Sequence, residues 1–348
     1  MNYKSHILIQ TQFLTFQKHN RMELQLLPIR TNNIEPIENL ISTSKPFIEA
    51  NTIESTLDEI RNRHIIPVYA KDNERLISMA EFVESCQSIV TDIYHDEQIL
   101  QPNIRLSHPI KGRVPSAKFK SPNELEEHEK TLYYERGAFV LEIPSIQTEI
   151  DGNLLSLTIG GVKSYNLDRI QGKKGADEMF SFFIGYQNKV CTNLCVWTDG
   201  YSKLVGVKHL HELRALMYAM FEQYNASHHL FHLRKLSETE LTEHQFAQII
   251  GRCRMYPNLP TEMKQTISPL LFGDAQLNAV VRDYYKDDSF CRQPNGGINL
   301  WRLYNLFTGA NKSSYVDSFL DRSVNAYNFC EQIRWALEDR GHSCWFLS

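Results

Sequence analysis

The segment 299–308, NLWRLYNLFT, constrains the fold of this 348-residue chain more than any other stretch. Polar residues recur in it every three positions, at Asn299, Arg302 and Asn305, and apolar or aromatic residues fill most of the rest. A helix whose surface is this widely apolar has to be buried on most sides. A second apolar stretch follows a break at residues 309–311. We therefore expect two helices in the interior of a well-packed domain.

The composition is that of an ordinary globular protein and excludes some functions. Hydrophobic residues make up 42 % of the chain and charged residues 22 %. The formal net charge of −4 excludes a globally basic nucleic-acid-binding protein but leaves room for a local basic face. A chain of this length can bury one large core or two smaller ones.

The sequence predicts three regions along the chain. Residues 1–33 form an N-terminal extension that is partly flexible. Residues 34–205 form a mixed α/β region with a central antiparallel sheet. Residues 206–348 form a helical region that packs on the sheet, either as a separate domain or as a single domain with residues 34–205.

Alternating apolar and polar positions place the sheet in the middle of the chain. Residues 138–143 and 154–159 alternate on either side of residues 151–153, Asp-Gly-Asn, which are a hairpin signal. Residues 179–187 place Phe, Phe, Ile and Tyr on one face of a further strand, and residues 189–197 predict another. We expect an antiparallel sheet of about four to five strands.

Helical periodicity dominates the chain after the sheet. The further helices predicted in this half cover residues 209–224, 241–255, 274–285 and about 314–340. Nearer the N-terminus we expect a short edge strand at residues 64–69 and a helix at residues 76–94. A central antiparallel sheet followed by a mostly helical C-terminal half is typical of the α+β class.

Cysteine usage and hydropathy predict the compartment. Seven cysteines, an odd number spread from Cys86 to Cys344, do not resemble a disulfide framework and favour a reducing compartment. Glutamines interrupt the apolar residues of segment 1–16, which predicts neither a signal peptide nor a membrane span. No other stretch reaches the roughly 18 apolar residues that spanning requires. We expect a cytoplasmic protein without a membrane partner.

Short spacings of cysteine and histidine raise the question of a metal site. Cys191 and Cys195 would lie about 13 Å apart on an extended strand, too far for two thiolates on one zinc ion. His228 and His232 share one face of a helix if the helix extends that far, but no H-E-x-x-H pattern completes them. We therefore predict no metal site and no cofactor.

A group of aspartates leaves one catalytic alternative open. Two-metal nucleases use carboxylate clusters of the kind found at Asp274, Asp283, Asp287 and Asp288. The neighbouring Arg282 and Lys286 suit ordinary surface ion pairing as well. The chain has no G-x-S-x-G, P-loop or dinucleotide-binding motif, so an enzyme is not favoured.

The strongest functional pattern is a concentration of cations near the predicted sheet. Residues 101–120 contain five Lys or Arg and no acid, and residues 160–210 add lysines among aromatic residues. Cations that follow phosphates beside rings that stack on bases are a common way to hold single-stranded nucleic acid. We predict a nucleic-acid interface made of Arg105, Lys111, Arg113, Lys163, Arg169, Lys173, Lys174 and Lys189.

An acidic run follows the basic one and supports a different hypothesis. Residues 121–151 carry eight acids, with a cluster at Glu124, Glu126, Glu127 and Glu129. A run of this kind is ordinarily a solvated face. The alternative is a DNA-mimicking surface on an inhibitor or anti-defence adaptor that binds a host protein.

Several motifs together resemble one protein family across residues 30–348. They are ISMAEF (77–82), RLSHPIKGR (105–113), EIPSIQTEIDGNLLSLTIGGVKSYNL (142–167), NKVCTNLCVWTDG (188–200), IIGRCRMYP (249–257), RDYYKDDSF (282–290) and NLWRLYNLFTGANKSSY (299–315). The family is an uncharacterised domain of unknown function carried by bacterial phages, plasmids and conjugative elements. The resemblance implies a mobile-element protein of DNA maintenance, recombination or the contest with host defences.

The leading expectation is a non-enzymatic protein that binds or anneals single-stranded DNA for such an element. The expected partners are therefore single-stranded DNA and a host-encoded or element-encoded protein, and oligomerisation is left open. A protein-binding inhibitor and a metal-dependent nuclease are the alternatives.

Overall fold

The computed structural model describes residues 45–64, 76–168, 177–338 and 343–348. The strands of its main sheet precede most of its helices along the chain. Its strands are β1 (Thr52–Ser55), β2 (Asn103–Ser107), β3 (Ile110–Arg113), β4 (Lys130–Tyr133), β5 (Arg136–Ile150), β6 (Asn153–Ser164), β7 (Glu178–Asn188), β8 (Leu194–Cys195), β9 (Tyr201–Val207), β10 (Glu240–Leu241) and β11 (Ile298–Asn299). Its helices are α1 (Leu57–Arg63), α2 (Met79–Ile93), α3 (Leu210–Gln223), α4 (Ala226–Ser237), α5 (Glu243–Met255), α6 (Thr261–Gln265), α7 (Asp274–Lys286), α8 (Leu300–Asn311) and α9 (Val316–Leu337). Thr43–Ser348 forms one compact unit, and the predicted extension at residues 1–33 lies outside the described residues.

The central sheet has seven antiparallel strands in the described structure, in the order β1-β2-β5-β6-β7-β8, with β9 also paired to β7. Helices follow it in the C-terminal half, which confirms the predicted α+β class. The sheet is wider than the expected four to five strands because β1 pairs with β2, and β2 in turn pairs with β5. β1 and β2 have only four and five residues, which is too short for their pattern to be recognised in the sequence.

The β5–β6 hairpin confirms the predicted turn at residues 151–153. Its register runs from Arg136 opposite Ser164 to Ile150 opposite Asn153. The turn residues Asp151 and Gly152 have φ values of 50° and 74°. Positive φ at both positions fits a hairpin turn and explains why Asp-Gly occurs there.

Helix α2 packs against the sheet through Phe82, and Gly161 makes room for its ring. Phe82 is fully buried, and its ring centroid lies 5.1 Å from that of Phe139 and 5.0 Å from that of Phe180. A Cβ atom at Gly161 would lie 2.4 Å from Cζ of Phe82, and one at Gly160 would lie 2.1 Å from the carbonyl oxygen of Phe139. The two glycines therefore serve close packing inside a strand rather than a turn.

Apolar side chains cover both faces of the sheet. On one face, Phe139 and Leu141 of β5 belong to the core that contains Phe82. On the other, Ala138 and Val140 pack with residues of α9 such as Phe319. Strand β7 is buried on both faces. Its alternating side chains therefore point into two different cores, and neither face of the strand meets solvent.

Helix α8 confirms the prediction that residues 299–308 lie inside the protein. Its six apolar and aromatic side chains up to Phe307 are all buried, and the Trp301 indole N–H donates to Oδ1 of Asn153 at 2.8 Å. Asn305, predicted on a polar stripe, is also buried and donates from Nδ2 to the carbonyl oxygen of Trp301 at 2.9 Å. The helix continues through Gly309 to Asn311, and α9 begins at Val316.

Two predicted segments differ from the structure. The strand predicted at residues 189–197 is reduced to β8 because the chain turns at Thr192, whose φ is 58°. The strand predicted at residues 64–69 lies outside the described residues except for His64, which forms a bridge with Leu132. Among the helices that are described, none has both the length and the apolar character needed to cross a membrane.

Candidate nucleic-acid interface

The eight predicted cations fall into three groups. Arg169, Lys173 and Lys174 lie outside the described residues. Arg105, Lys163 and Lys189 belong to the sheet or its connections and have protein partners. Lys111 and Arg113 lie on β3, away from the main sheet.

Lys163 is an internal ion-pairing residue rather than a surface cation. Its Nζ lies 2.7 Å from Oδ1 and 2.8 Å from Oδ2 of Asp168, and 3.5 Å from Oε2 of Glu178. All three side chains are at most 2 % exposed. Burial lowers the pKa of the Lys163 ammonium, and the two carboxylates oppose that effect. The amine has no access to an external phosphate in this conformation, so Lys163 does not form part of the interface proposed below.

The carboxylates of this ion cluster also hold the backbone in place. Asp168 Oδ1 accepts the backbone N–H of Met179 at 2.7 Å. Glu178 accepts the backbone N–H of Ile77, just before α2, at 3.1 Å. Lys163 therefore neutralises two buried acids that connect β6, β7 and the start of α2, and its role is structural.

Arg105 and Lys189 are also held by neighbouring groups. Arg105 donates from Nε to Oγ1 of Thr52 at 3.1 Å and from Nη2 to the Thr52 carbonyl oxygen at 2.9 Å, which ties β2 to β1. Lys189 follows β7 and forms an ion pair with Glu142 of β5. Neither residue presents a free cation to a ligand.

The remaining cations lie on an exposed segment, residues 108–120, which we call the basic arm. It begins with β3, which pairs with β4 in a separate two-stranded sheet, and continues into a 3-10 turn at Pro115–Ala117. Lys111 and Lys118 are exposed, and in the part of the chain that the structure describes neither has a carboxylate partner. Arg113 is half-buried and donates from Nη1 to the carbonyl oxygen of Lys120.

An exposed aromatic ring completes the basic arm. Phe119 is 89 % exposed, and Nζ of Lys118 lies 4.7 Å from its ring centroid. Ile110 on β3 is also exposed. Phe119 was not among the predicted site residues, although its position between two lysines in a proline-containing loop was a usable signal.

The acidic run is largely occupied by local contacts. Glu124 accepts the backbone N–H of Ser121 at 2.8 Å, and hydrogen bonding lowers the pKa of its carboxyl. Glu129 is buried, and one of its oxygens lies 2.5 Å from Nζ of Lys120. Glu127 pairs with Lys130 in the same way. Three of the four clustered carboxylates, those of Glu124, Glu127 and Glu129, are therefore engaged in 3-10 turns or ion pairs and are not free in the way that a DNA mimic requires.

The aspartates proposed for a nuclease are not assembled into a metal site. Asp283 pairs with Arg282 at 2.6 Å, and Oδ1 of Asp287 accepts the backbone N–H groups of Ser289 and Phe290. Throughout the described ranges, no group of three or more His, Cys, Asp or Glu residues is placed to hold a metal ion. Two-metal catalysis at these residues has no geometric support.

These features define an α+β protein with a double-sided antiparallel sheet and a short basic arm. The chain belongs to the family described as "Domain of unknown function, B. Theta Gene description (DUF3871)", whose family model matches residues 29–347. No curated protein and no solved structure matches the chain. The match confirms membership of an uncharacterised family, whereas the association with phages, plasmids and conjugative elements stays a prediction.

Proposed function

We propose that this protein binds single-stranded DNA through the basic arm, as a non-enzymatic factor of a mobile element such as a phage or plasmid. The observation that carries the proposal is the exposure of Phe119 next to Lys118. A phenylalanine left almost entirely in water gains free energy when a base stacks on it, whatever the base.

The charges of the basic arm support the same ligand. Lys111 and Lys118 have no acidic partner among the described residues, so each is free to neutralise a phosphate. Arg113 makes a hydrogen bond through Nη1 and keeps other guanidinium donors for a further contact. Two to three cations on the same short arm as one stacking ring correspond to a short site of a few nucleotides. The seven cysteines, all described and all free, agree with a reducing compartment such as the cytoplasm.

The protein-binding alternative has less support in the described residues. An acidic surface that imitates DNA needs carboxylates that are free to meet a partner. Glu124 and Glu129 are instead engaged with backbone N–H groups of their own turns. Single-stranded DNA is therefore the better supported ligand.

Fluorescence anisotropy with a labelled oligothymidylate tests the proposal at low salt. Base–aromatic stacking contributes about 1–3 kcal/mol per base, so Phe119→Ala should weaken binding by roughly 5- to 150-fold. Lys111→Gln combined with Lys118→Gln should weaken it further.

The chain offers a matched control for the aromatic residue. Phe231 of α4 is 54 % exposed, and Nζ of Lys235 lies 5.7 Å from its ring centroid. Phe231→Ala removes an exposed ring next to a lysine elsewhere and should leave the affinity unchanged. Equal affinities for Phe119→Ala and Phe231→Ala, or no binding by the unmodified protein, would reject the proposal.

A further inference from the structure

A pair of histidines on α4 brings two ring nitrogens together at the protein surface. His228 and His232 lie one helical turn apart, and their Nε2 atoms are 3.0 Å from each other. The His228 ring is exposed and that of His232 is partly buried. The sequence predicted that the two histidines share one helical face if the helix extends that far. Helix α4 does extend through both residues, so they lie on one face.

An aromatic side chain fixes the orientation of both rings. The ring centroid of Trp197 lies 4.8 Å from that of His228 and 5.2 Å from that of His232. Trp197 itself packs against the hydrophobic core. The indole therefore restricts the freedom of both imidazoles, and less conformational entropy is lost when they bind a ligand together.

A buried carboxylate lies behind the inner histidine. Nδ1 of His232 is 3.6 Å from Oε2 of Glu331, whose side chain is 5 % exposed. Arg334 holds that carboxylate by donating from Nε to Oε1 and from Nη2 to Oε2, both at 2.9 Å. One nitrogen of His232 thus faces a fixed acid while the other faces His228. The second ring nitrogen of a metal-binding histidine commonly donates to an acid that orients the ring, and here Glu331 lies beside that nitrogen at 3.6 Å without a hydrogen bond.

We propose that His228 and His232 bind one late first-row divalent cation, zinc in particular, through their Nε2 atoms. Tetrahedral coordination with zinc–nitrogen bonds of about 2.0–2.1 Å places two ligand nitrogens of one ion about 3.3 Å apart, close to the 3.0 Å between these two Nε2 atoms. The site supplies two protein ligands, which agrees with the finding that no described group of three or more ligating residues surrounds a metal. Water, or a carboxylate or imidazole of a bound molecule, completes the coordination.

The competing explanation is a simple hydrogen bond between two neutral imidazoles, one donating to the other. The two explanations differ in whether added zinc binds to the protein and stabilises it. The ion replaces the shared proton, so it binds to the pair and stabilises the folded protein. A hydrogen-bonded pair that binds no metal is unaffected.

Isothermal titration of the protein with zinc chloride alone, and in parallel with nickel chloride, distinguishes the two explanations. We expect one equivalent of each metal to bind in the unmodified protein through this pair. His228→Phe keeps an aromatic ring against Trp197 and removes the nitrogen, so its folding can be verified by circular dichroism while its metal affinity falls by at least tenfold. His232→Gln should show the same loss.

His209 and His211 provide the matched control. Their rings are stacked with centroids 5.5 Å apart, but they are only two residues apart at the start of α3. The double substitution of His209 and His211 by Ala should leave intact the binding of the one metal equivalent that depends on His228 and His232. Unchanged metal affinity in folded His228→Phe and His232→Gln, or no binding of either metal by the unmodified protein, would overturn the proposal.

Discussion

Replacing Lys163 by Met tests whether this lysine is a structural ion or a ligand-binding cation. Methionine is similar in length but carries no charge. The substitution leaves Asp168 and Glu178 buried at 2 % exposure or less without their shared positive partner. Each acid keeps a backbone N–H donor, from Met179 and from Ile77 respectively. The perturbation is therefore the loss of charge compensation inside an otherwise intact network.

The expected effect on stability is large because the side chains of Lys163, Asp168 and Glu178 are buried away from solvent. Removing one partner of a buried ion pair typically costs about 3–5 kcal/mol of unfolding free energy. The ammonium also lies 4.1 Å from the ring centroid of Phe180, so a cation–π contact is lost as well. Lys189→Met is the matched control, since it breaks a lysine–carboxylate pair whose lysine is 37 % exposed. Exposed pairs contribute only about 0.2–1 kcal/mol.

Urea unfolding measures both variants under the same conditions. We expect the midpoint to fall for Lys163→Met by several times the shift for Lys189→Met, with similar m-values. Adding Asp168→Asn to Lys163→Met should restore part of the loss, because one of the two buried negative charges that Lys163 neutralises is removed. Equal, small shifts for the two lysine variants would refute the account of Lys163 as an internal ion. A stable Lys163→Met protein with weakened oligonucleotide binding would restore its predicted surface role.

Two further predictions concern packing and protonation. Gly161→Ala should destabilise the protein by about 1–3 kcal/mol, because its Cβ would lie 2.4 Å from Cζ of Phe82. Gly251→Ala should stabilise the protein by about 0.5–1 kcal/mol, because this residue lies on α5 and nothing in the described structure outside its own helix lies within 4 Å of the added Cβ. If the midpoint of urea unfolding shifts in the same direction for both glycine variants, the packing described here is contradicted. Burial lowers the pKa of His64 to about 4, so its neutral form is favoured in the folded state and the stability it contributes is lost as pH falls from about 6.5 toward 4. Between pH 7 and pH 5 the unmodified protein should lose about 2 kcal/mol more than His64→Phe, and identical pH profiles would disprove the assignment.

Local patterns in the sequence predicted the elements that local interactions determine. The alternation in β7, the Asp-Gly turn before β6 and the apolar surface of α8 each follow from neighbouring residues. Thr242 and Gln245 likewise form a capping box at the start of α5 from residues that are three apart in the sequence. These features depend on periodicity and turn geometry, which a single sequence contains.

Contacts between distant segments were not predictable in the same way. Nothing near Lys163 in the sequence shows that Glu178, on the next strand of the sheet, will neutralise it. Glu142 and Lys189 are similarly brought together only by the pairing of β5, β6 and β7. Lys111, which was predicted, and Lys118, which was not, lie close in sequence on an exposed arm. The sequence therefore showed where cations are concentrated but not which of them stay free.

The salt dependence of oligonucleotide affinity tests the proposed interface most directly. For single strands, the logarithm of the binding constant falls with the logarithm of salt concentration with a slope of about −0.7 per phosphate contact. Two or three contacts from Lys111, Lys118 and Arg113 predict a slope of roughly −1.4 to −2.1, reduced by about 0.7 in Lys111→Gln. A slope near zero, or one of about −5 that Lys111→Gln leaves unchanged, would contradict an interface confined to the basic arm.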